Sequence, residues 1–284
     1  MNQTFPSTES TEQSRQSHLD ALKKNPLDLH AYNALEAMMS PGCYSEWMLI
    51  NAVIHPQDEI FQYFAGHESA GNPFREYLSD GWRSMVELMT ILERANRPLL
   101  QLSSVLEFAA GFGRFTRHLA KALPGKLTCS DVQVESVDFL KASFGVDGFY
   151  SSHAPDTLNF PGQYELVFAL SMFTHVPLEM WGPWLRCMWR GVAPGGLLIV
   201  SIHNEDAAKK MGVQFSARGD HFMRSSESSS LDAAVYGTTF TTAQCAVNAV
   251  QDALHESVMS HEKIAFWTGQ DALVIQKHYQ DGQG

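Results

Sequence analysis

Polar positions dominate the start of the chain. Residues 1–17 are mostly Ser, Thr, Gln, Asn and Glu, which predicts a tail without regular structure, because such a segment cannot offset its ordering entropy by burial. Apolar positions begin at Leu19 and Leu22 and break at Asn25-Pro26. They resume at Leu29, Tyr32, Leu35 and Met39 with helical spacing. The pattern predicts a pair of helices with no second copy, read as a helical cap. Residues 41–75 mix aromatics, Gly and Pro and predict no clear element. Over 76–95, Leu78, Trp82, Met85, Leu88, Met89 and Leu92 share a helical face, and Pro98 closes the region.

From Ser103 the pattern changes to short apolar runs alternating with amphipathic stretches. Strands are predicted at 105–108, 127–130, 149–152, 166–170 and 197–202. Helices are predicted at 114–123, stopped by Pro124-Gly125, at 134–144, closed by Gly145, and at 178–192. In the last of these Trp181, Trp184, Leu185, Met188, Trp189 and Val192 recur at helical spacing, so the tryptophans pack against a sheet. Residues 204–236, with the Ser225–Ser230 cluster, interrupt the rhythm and read as an insertion. A helix at about 242–257 follows. Two apolar runs, 264–267 and 272–275, then flank a short Gly turn, which predicts an antiparallel hairpin. Strand–helix alternation points to a doubly wound, Rossmann-like α/β sheet covered on both faces. The expected division is a tail at 1–17, a helical cap at 18–100, and a ligand-binding domain at 101–284 with the insertion inside it.

Composition narrows the partners. The chain has 284 residues, 44% hydrophobic and 18% charged, with a net charge of −11. That balance disfavours nucleic acid and anionic membranes. Cys43, Cys129, Cys187 and Cys245 are widely spaced and form no CxxC, so neither a disulfide framework nor a metal site is expected. No apolar run approaches the roughly 20 residues of a membrane helix, and the polar N-terminus lacks an apolar signal core. A soluble, cytoplasmic protein acting on a small molecule is the expectation; the sequence is silent on oligomeric state.

Candidate chemistry concentrates in Glu107-Phe108-Ala109-Ala110-Gly111-Phe112-Gly113, at a strand end where a helix opens. Glycines there let a ligand approach the backbone, and the helix start offers unpaired N–H groups. Asp131 ends the next strand 24 positions later, where an acid can accept hydrogen bonds from ribose hydroxyls. A dinucleotide fingerprint would want a third glycine near Thr116, which is missing. The Glu107 carboxyl suits a ligand carrying an ammonium or sulfonium group better than a pyrophosphate.

These segments resemble the class I S-adenosylmethionine-dependent methyltransferases of the small-molecule type. The resemblance rests on VLEFAAGFGRFTRHLA (105–120), LTCSDVQVESVDFL (127–140), YELVFALSMFTHVP (164–177), APGGLLIVSI (193–202) and the closing TGQDALVIQKH (268–278). It implies a seven-stranded sheet whose last strand is antiparallel, and S-adenosyl-L-methionine as cofactor. It implies that Glu107 and the backbone of Ala109, Gly111 and Gly113 hold the methionine part. Asp131 would bind the ribose, Val132 the adenine, and Ala169 and Leu170 would lie beneath the methyl group. After the third strand, His153 with Ala154, or alternatively Asp156, would reach the adenine edge. Ala109 replaces the first glycine of the usual turn. Methyl transfer to an oxygen or nitrogen of a small acceptor is the implied activity. A non-catalytic scaffold keeping this fold and a nicotinamide-dependent oxidoreductase are the rivals.

Methyl transfer needs positioning first, and a base only where the acceptor must lose a proton. His175 and His203 follow the fourth and fifth strands, at the crevice lip where doubly wound sheets bind ligands, and are the candidate catalytic residues. Their bland alternatives are a helix cap and a solvated loop residue. Tyr77, Trp82 and Tyr236 could form a lid, although such aromatics more often belong to a core. His118, inside a helix, reads as structural. The fourth strand is followed neither by the Pro-Pro-aromatic run of amino-methylating DNA enzymes nor by the glutamate pair of protein arginine methyltransferases.

Overall fold

A computed structural model describes residues 8–38, 49–67, 72–226, 228, 231–267 and 269–279. The chain divides into two compact units, Met1–Leu78 and Ser79–Gly284, each described by itself. Cys43, and parts of the Ser225–Ser230 cluster, lie outside the described residues.

The first unit holds α1 (Thr8–Lys24), α2 (Leu29–Met38), α3 (Glu59–Gly66) and the start of α4 (Pro73–Arg94). The expected irregular tail is corrected over 8–17, where α1 has already begun. Glu, Gln and Arg are good helix formers without burial, and Arg15–Glu12, Gln16–Asp20 and Lys23–Asp20 pair at helical spacing. Ile50, Ala52, Ile54, Phe61, Tyr77 and Leu78 form the core of this unit. The Asn33 side chain ties the extended chain down, donating to the carbonyl of Ile54 at 2.8 Å and accepting its N–H at 3.2 Å. Asp58 caps α3 by accepting the Phe61 N–H and also accepts the Tyr77 hydroxyl. Tyr77 is therefore a fully buried core residue of this unit, contrary to a lid role.

The second unit is built on β1 (Val105–Phe108), β2 (Leu127–Asp131), β3 (Asp147–Tyr150), β4 (Tyr164–Ala169) and β5 (Val192–His203), all parallel in the order β3-β2-β1-β4-β5. Beyond β5 comes β9 (Gln270–Gln276), antiparallel to it, and then β8 (Val258–Phe266), antiparallel to β9. These are the seven strands expected, with the last reversed. Two more, β6 (Asp220–Met223) and β7 (Thr238–Thr241), form an antiparallel hairpin that joins the tip of β5 through the single pair His203↔Phe240. The third strand lies two residues earlier than expected. Asp147-Gly148 looks like a turn but pairs with Thr128 and Cys129, and sheet pairing overrides local preference.

The helices of this unit are the rest of α4, α5 (Thr116–Ala122), α6 (Val134–Phe144), α7 (Leu178–Gly191), α8 (Glu205–Lys210) and α9 (Ala243–Leu254). Side chains alternate across the sheet. Leu106, Phe108, Val167, Ala169, Leu198 and Val200 face a core completed by Trp181, Trp184, Leu185 and Met188 of α7 and Ala246 and Val250 of α9. Val105, Leu166, Phe168, Leu197 and Ile199 face the other, with Leu88, Ile91 and Leu92 of α4 and Phe115 and Leu119 of α5. The tryptophan stripe packs as expected, and His118 is buried within α5. Trp82 is a correction, being 51% exposed. The inward line of α4 runs through Gly81, Ser84, Leu88 and Ile91, because the small residues at 81 and 84 permit close approach.

Candidate functional site

The turn after β1 is a chain of left-handed residues: φ is +59° at Ala109, +55° at Gly111 and +82° at Gly113. At Gly113 a Cβ would stand 2.5 Å from the Phe144 ring and 2.6 Å from Leu140, so helix packing excludes a side chain. At Gly111 a Cβ would meet nothing within 4 Å; this glycine opens onto free space, as ligand approach requires. Asp131 organises the turn. Its Oδ2 accepts the Gly111 N–H at 2.8 Å and its Oδ1 the Gln133 N–H at 3.0 Å. Ser136 donates to the carbonyl of Gly111, and the Ala110 N–H to that of Ser130 at 3.1 Å.

Glu107 lies buried in β1. Its Oε2 accepts the Thr116 hydroxyl at 2.7 Å and lies 3.7 Å from the Cys129 sulfur. Burial pushes its pKa up to about 8, against the pull of those donors. Burial also raises Asp131, opposed by the amides of Gln133, Gly111 and Val132. Val132 is half-buried beside them. The N–H of Ser151 bonds to the carbonyl of Asp131 at 2.8 Å, bringing the segment after β3 alongside β2. There His153, Ala154 and Asp156 are all exposed, and the Ala154 N–H is taken by Ser152 Oγ at 3.0 Å.

The lip beyond β4 and β5 carries the two expected histidines. Ala169 is buried and paired with Val200; Leu170 leaves the sheet half-buried. Ser171 follows at φ +61°, held by a closed ring of side chains. Its N–H donates to Ser201 Oγ at 2.8 Å, Ser201 Oγ to Gln270 Oε1 at 2.7 Å, and Gln270 Nε2 to Ser171 Oγ at 2.9 Å. His175 and His203 come together with ring centroids 6.3 Å apart. Their Nδ1 atoms lie 2.7 Å from the carbonyl of Gly237 and 2.9 Å from that of Thr239. Carbonyls only accept, so both Nδ1 atoms carry hydrogen, and the neutral rings bear their lone pair on Nε2. His175 stacks on Tyr236 at 4.6 Å and His203 on Phe240 at 4.7 Å. His175 makes no cap for α7, where Pro177 occupies that place without a side-chain bond. Nothing in the sequence marked 236–240 as the partner of these imidazoles, nor Gln270 as the brace behind Ser171.

The donor set fits a nucleoside carrying a sulfonium. A buried carboxyl waits for a cation, a glycine opens onto space, and Ser130 Oγ, in the strand position before Asp131, is buried without a partner. Among the described residues no group of three His, Cys, Asp or Glu could hold a metal ion, and no helix is long and apolar enough to cross a membrane.

Residues 105–196, about a third of the chain, match the family model described as a methyltransferase domain. The fold is similar to that of an S-adenosylmethionine-dependent methyltransferase from Clostridium acetobutylicum ATCC 824 (TM-score 0.51, 11% identity, over 70% of this chain and 93% of that one). It is similar to magnesium protoporphyrin IX methyltransferase ChlM from Synechocystis PCC 6803 with bound S-adenosylhomocysteine (0.50, 15%, 77% and 93%). It is also similar to the glycopeptide N-methyltransferase MtfA complexed with sinefungin (0.51, 10%, 69% and 87%). At these identities the likeness is one of fold. No curated protein matches the sequence. The strand order with its reversed last strand is the fold that these methyltransferases share, and the match over 105–196 covers its glycine bend. The domain match and the shared fold support an enzyme that uses S-adenosyl-L-methionine.

Proposed function

We propose that the protein methylates an oxygen or nitrogen of a small-molecule acceptor, with His175 and His203 on the acceptor side. The observation that carries this reading is the pair of imidazoles at the carboxyl ends of β4 and β5, each with Nδ1 committed to a backbone carbonyl. Each neutral ring thereby directs its basic Nε2 lone pair away from that carbonyl, where it can take up a proton. When bound, the cofactor supplies an electrophilic methyl carbon on a sulfonium leaving group. The chain's work is to orient the acceptor and to take up the proton that an O–H or N–H nucleophile releases.

On the donor side, Glu107 and the backbone from Ala109 to Gly113 take the methionine part, and Asp131 takes the ribose hydroxyls. Each Asp131 oxygen accepts one amide and retains further acceptor capacity. Val132 packs on the adenine, His153 with Ala154, or alternatively Asp156, reaches its edge, and Ala169 and Leu170 lie beneath the methyl group. The net charge of −11 favours a small acceptor over nucleic acid, and the widely spaced cysteines without a CxxC favour the reducing cytoplasm as the place of action.

The test uses calorimetry with S-adenosylhomocysteine, then transfer of a labelled methyl group into a metabolite extract. Saturable binding and a labelled product are expected. His175→Asn and His203→Asn should lower turnover at least tenfold and leave S-adenosylhomocysteine affinity within about twofold. Absence of binding at millimolar ligand, or variants with full turnover, would overturn the reading.

A further inference from the structure

Arg114 follows the last glycine of the bend directly. Its Nη1 lies 2.6 Å from Oδ2 of Asp80 on α4. The same oxygen accepts the indole N–H of Trp267, from the turn between β8 and β9, at 3.1 Å. The guanidinium lies over that indole, 4.9 Å from its centroid. Both charged side chains are mostly enclosed, 23% and 16% exposed. The approach is fixed by main chain: a Cβ at Gly81 would stand 2.0 Å from the carbonyl oxygen of Arg114. Asp80 therefore cannot drift from the bend without α4 moving.

A packing clamp would not need a carboxylate, since an amide oxygen at position 80 could accept the indole N–H equally well. What the carboxylate adds is charge. Burial opposes its ionisation, and Arg114 is the largest influence favouring it. The Arg114 charge is also felt at Glu107. An unpaired guanidinium on the residue after Gly113 would leave a cation whose field reaches Glu107 at a bend that must receive a sulfonium, in partly enclosed surroundings where charges act strongly.

We infer that Asp80 sets the charge preference of the donor site: by neutralising Arg114 it lets the bend favour the sulfonium donor over the neutral thioether product. The inference rests on the reading of this bend as the donor site. Asp80 is a positioning residue that acts through Arg114. Removing its charge should weaken the cationic ligand selectively, which loss of packing alone would not do.

The test is calorimetry on the full chain with S-adenosylmethionine and with S-adenosylhomocysteine. In Asp80→Asn, affinity for the sulfonium should fall by roughly three- to tenfold relative to the thioether. Adding Arg114→Gln to that variant should return the ratio of the two affinities to within about twofold of wild type. Parallel weakening of both ligands, or an unchanged ratio, would overturn the inference. If Asp80→Asn fails to fold, Arg114→Gln alone decides: the ratio should then shift toward the sulfonium, and an unchanged ratio overturns the inference as before. Wild-type protein that binds neither ligand would refute the donor-site reading instead.

Discussion

Glu107 couples the proposed donor site to pH. Its folded pKa of about 8 stands above the ordinary 4.5, so the native chain keeps a proton that the unfolded chain releases between those values. The contribution to stability is complete below about 4.5 and is lost as pH rises toward 8. Urea unfolding across this window should show a downward slope in wild type that flattens in Glu107→Gln. A cationic ligand favours the carboxylate, so S-adenosylmethionine affinity should rise with pH toward 8.5, and the glutamine variant should lose that rise. Backbone strain is the second residue-scale matter. Ala109 at φ +59° forgoes about 1–2 kcal/mol relative to a residue at ease there, so Ala109→Gly should stabilise by about 0.5–1 kcal/mol after the entropy of glycine is deducted. Gly113→Ala should destabilise by about 2–3 kcal/mol, through its φ and the Phe144 and Leu140 contacts; chemical denaturation reads both. That Glu107, Gly111, Gly113 and Asp131 meet at one strand-to-helix bend was legible in the sequence, because such a bend is local chemistry. Asp80, Arg114 and Trp267 were not, since their bonds span 34 and 187 positions.

At the scale of elements, alternation of apolar runs and amphipathic stretches was enough to place β1, β2, β4, β5 and most helices. It failed where tertiary pairing decides. Strand β3 begins at Asp147-Gly148, against its local preference, and α1 begins in a polar stretch whose side chains stabilise one another rather than a core. Within the segment read as an insertion, β6 has no apolar alternation long enough to be seen, and β7 lies just past the expected boundary. The ring joining β4, β5 and β9 through Ser171, Ser201 and Gln270 is a device of this scale. Gln270→Leu would strip partners from two enclosed hydroxyls while Ser171 stays at a strained φ, so a loss of about 1–3 kcal/mol is expected in urea unfolding.

For the whole molecule, the sheet and both of its cores draw all their buried residues from position 88 onward. Tyr77 and Leu78 belong instead to the smaller core. We propose that the division at 78/79 is a boundary between independently folding parts. A fragment of residues 73–284, which keeps α4 whole, should then retain strand-rich circular dichroism and bind S-adenosylhomocysteine within about threefold of the full chain; a fragment that unfolds would refute the boundary.

The β6–β7 hairpin meets the sheet at a single residue pair, yet its neighbourhood supplies both carbonyls that orient His175 and His203. Among the described residues, the glycine bend is held instead by Ser130, Asp131 and Ser136. Choice of recipient is thus separable from custody of the donor: grafting a different sequence between β5 and α9 is the alteration by which one inherited scaffold could come to serve another metabolite.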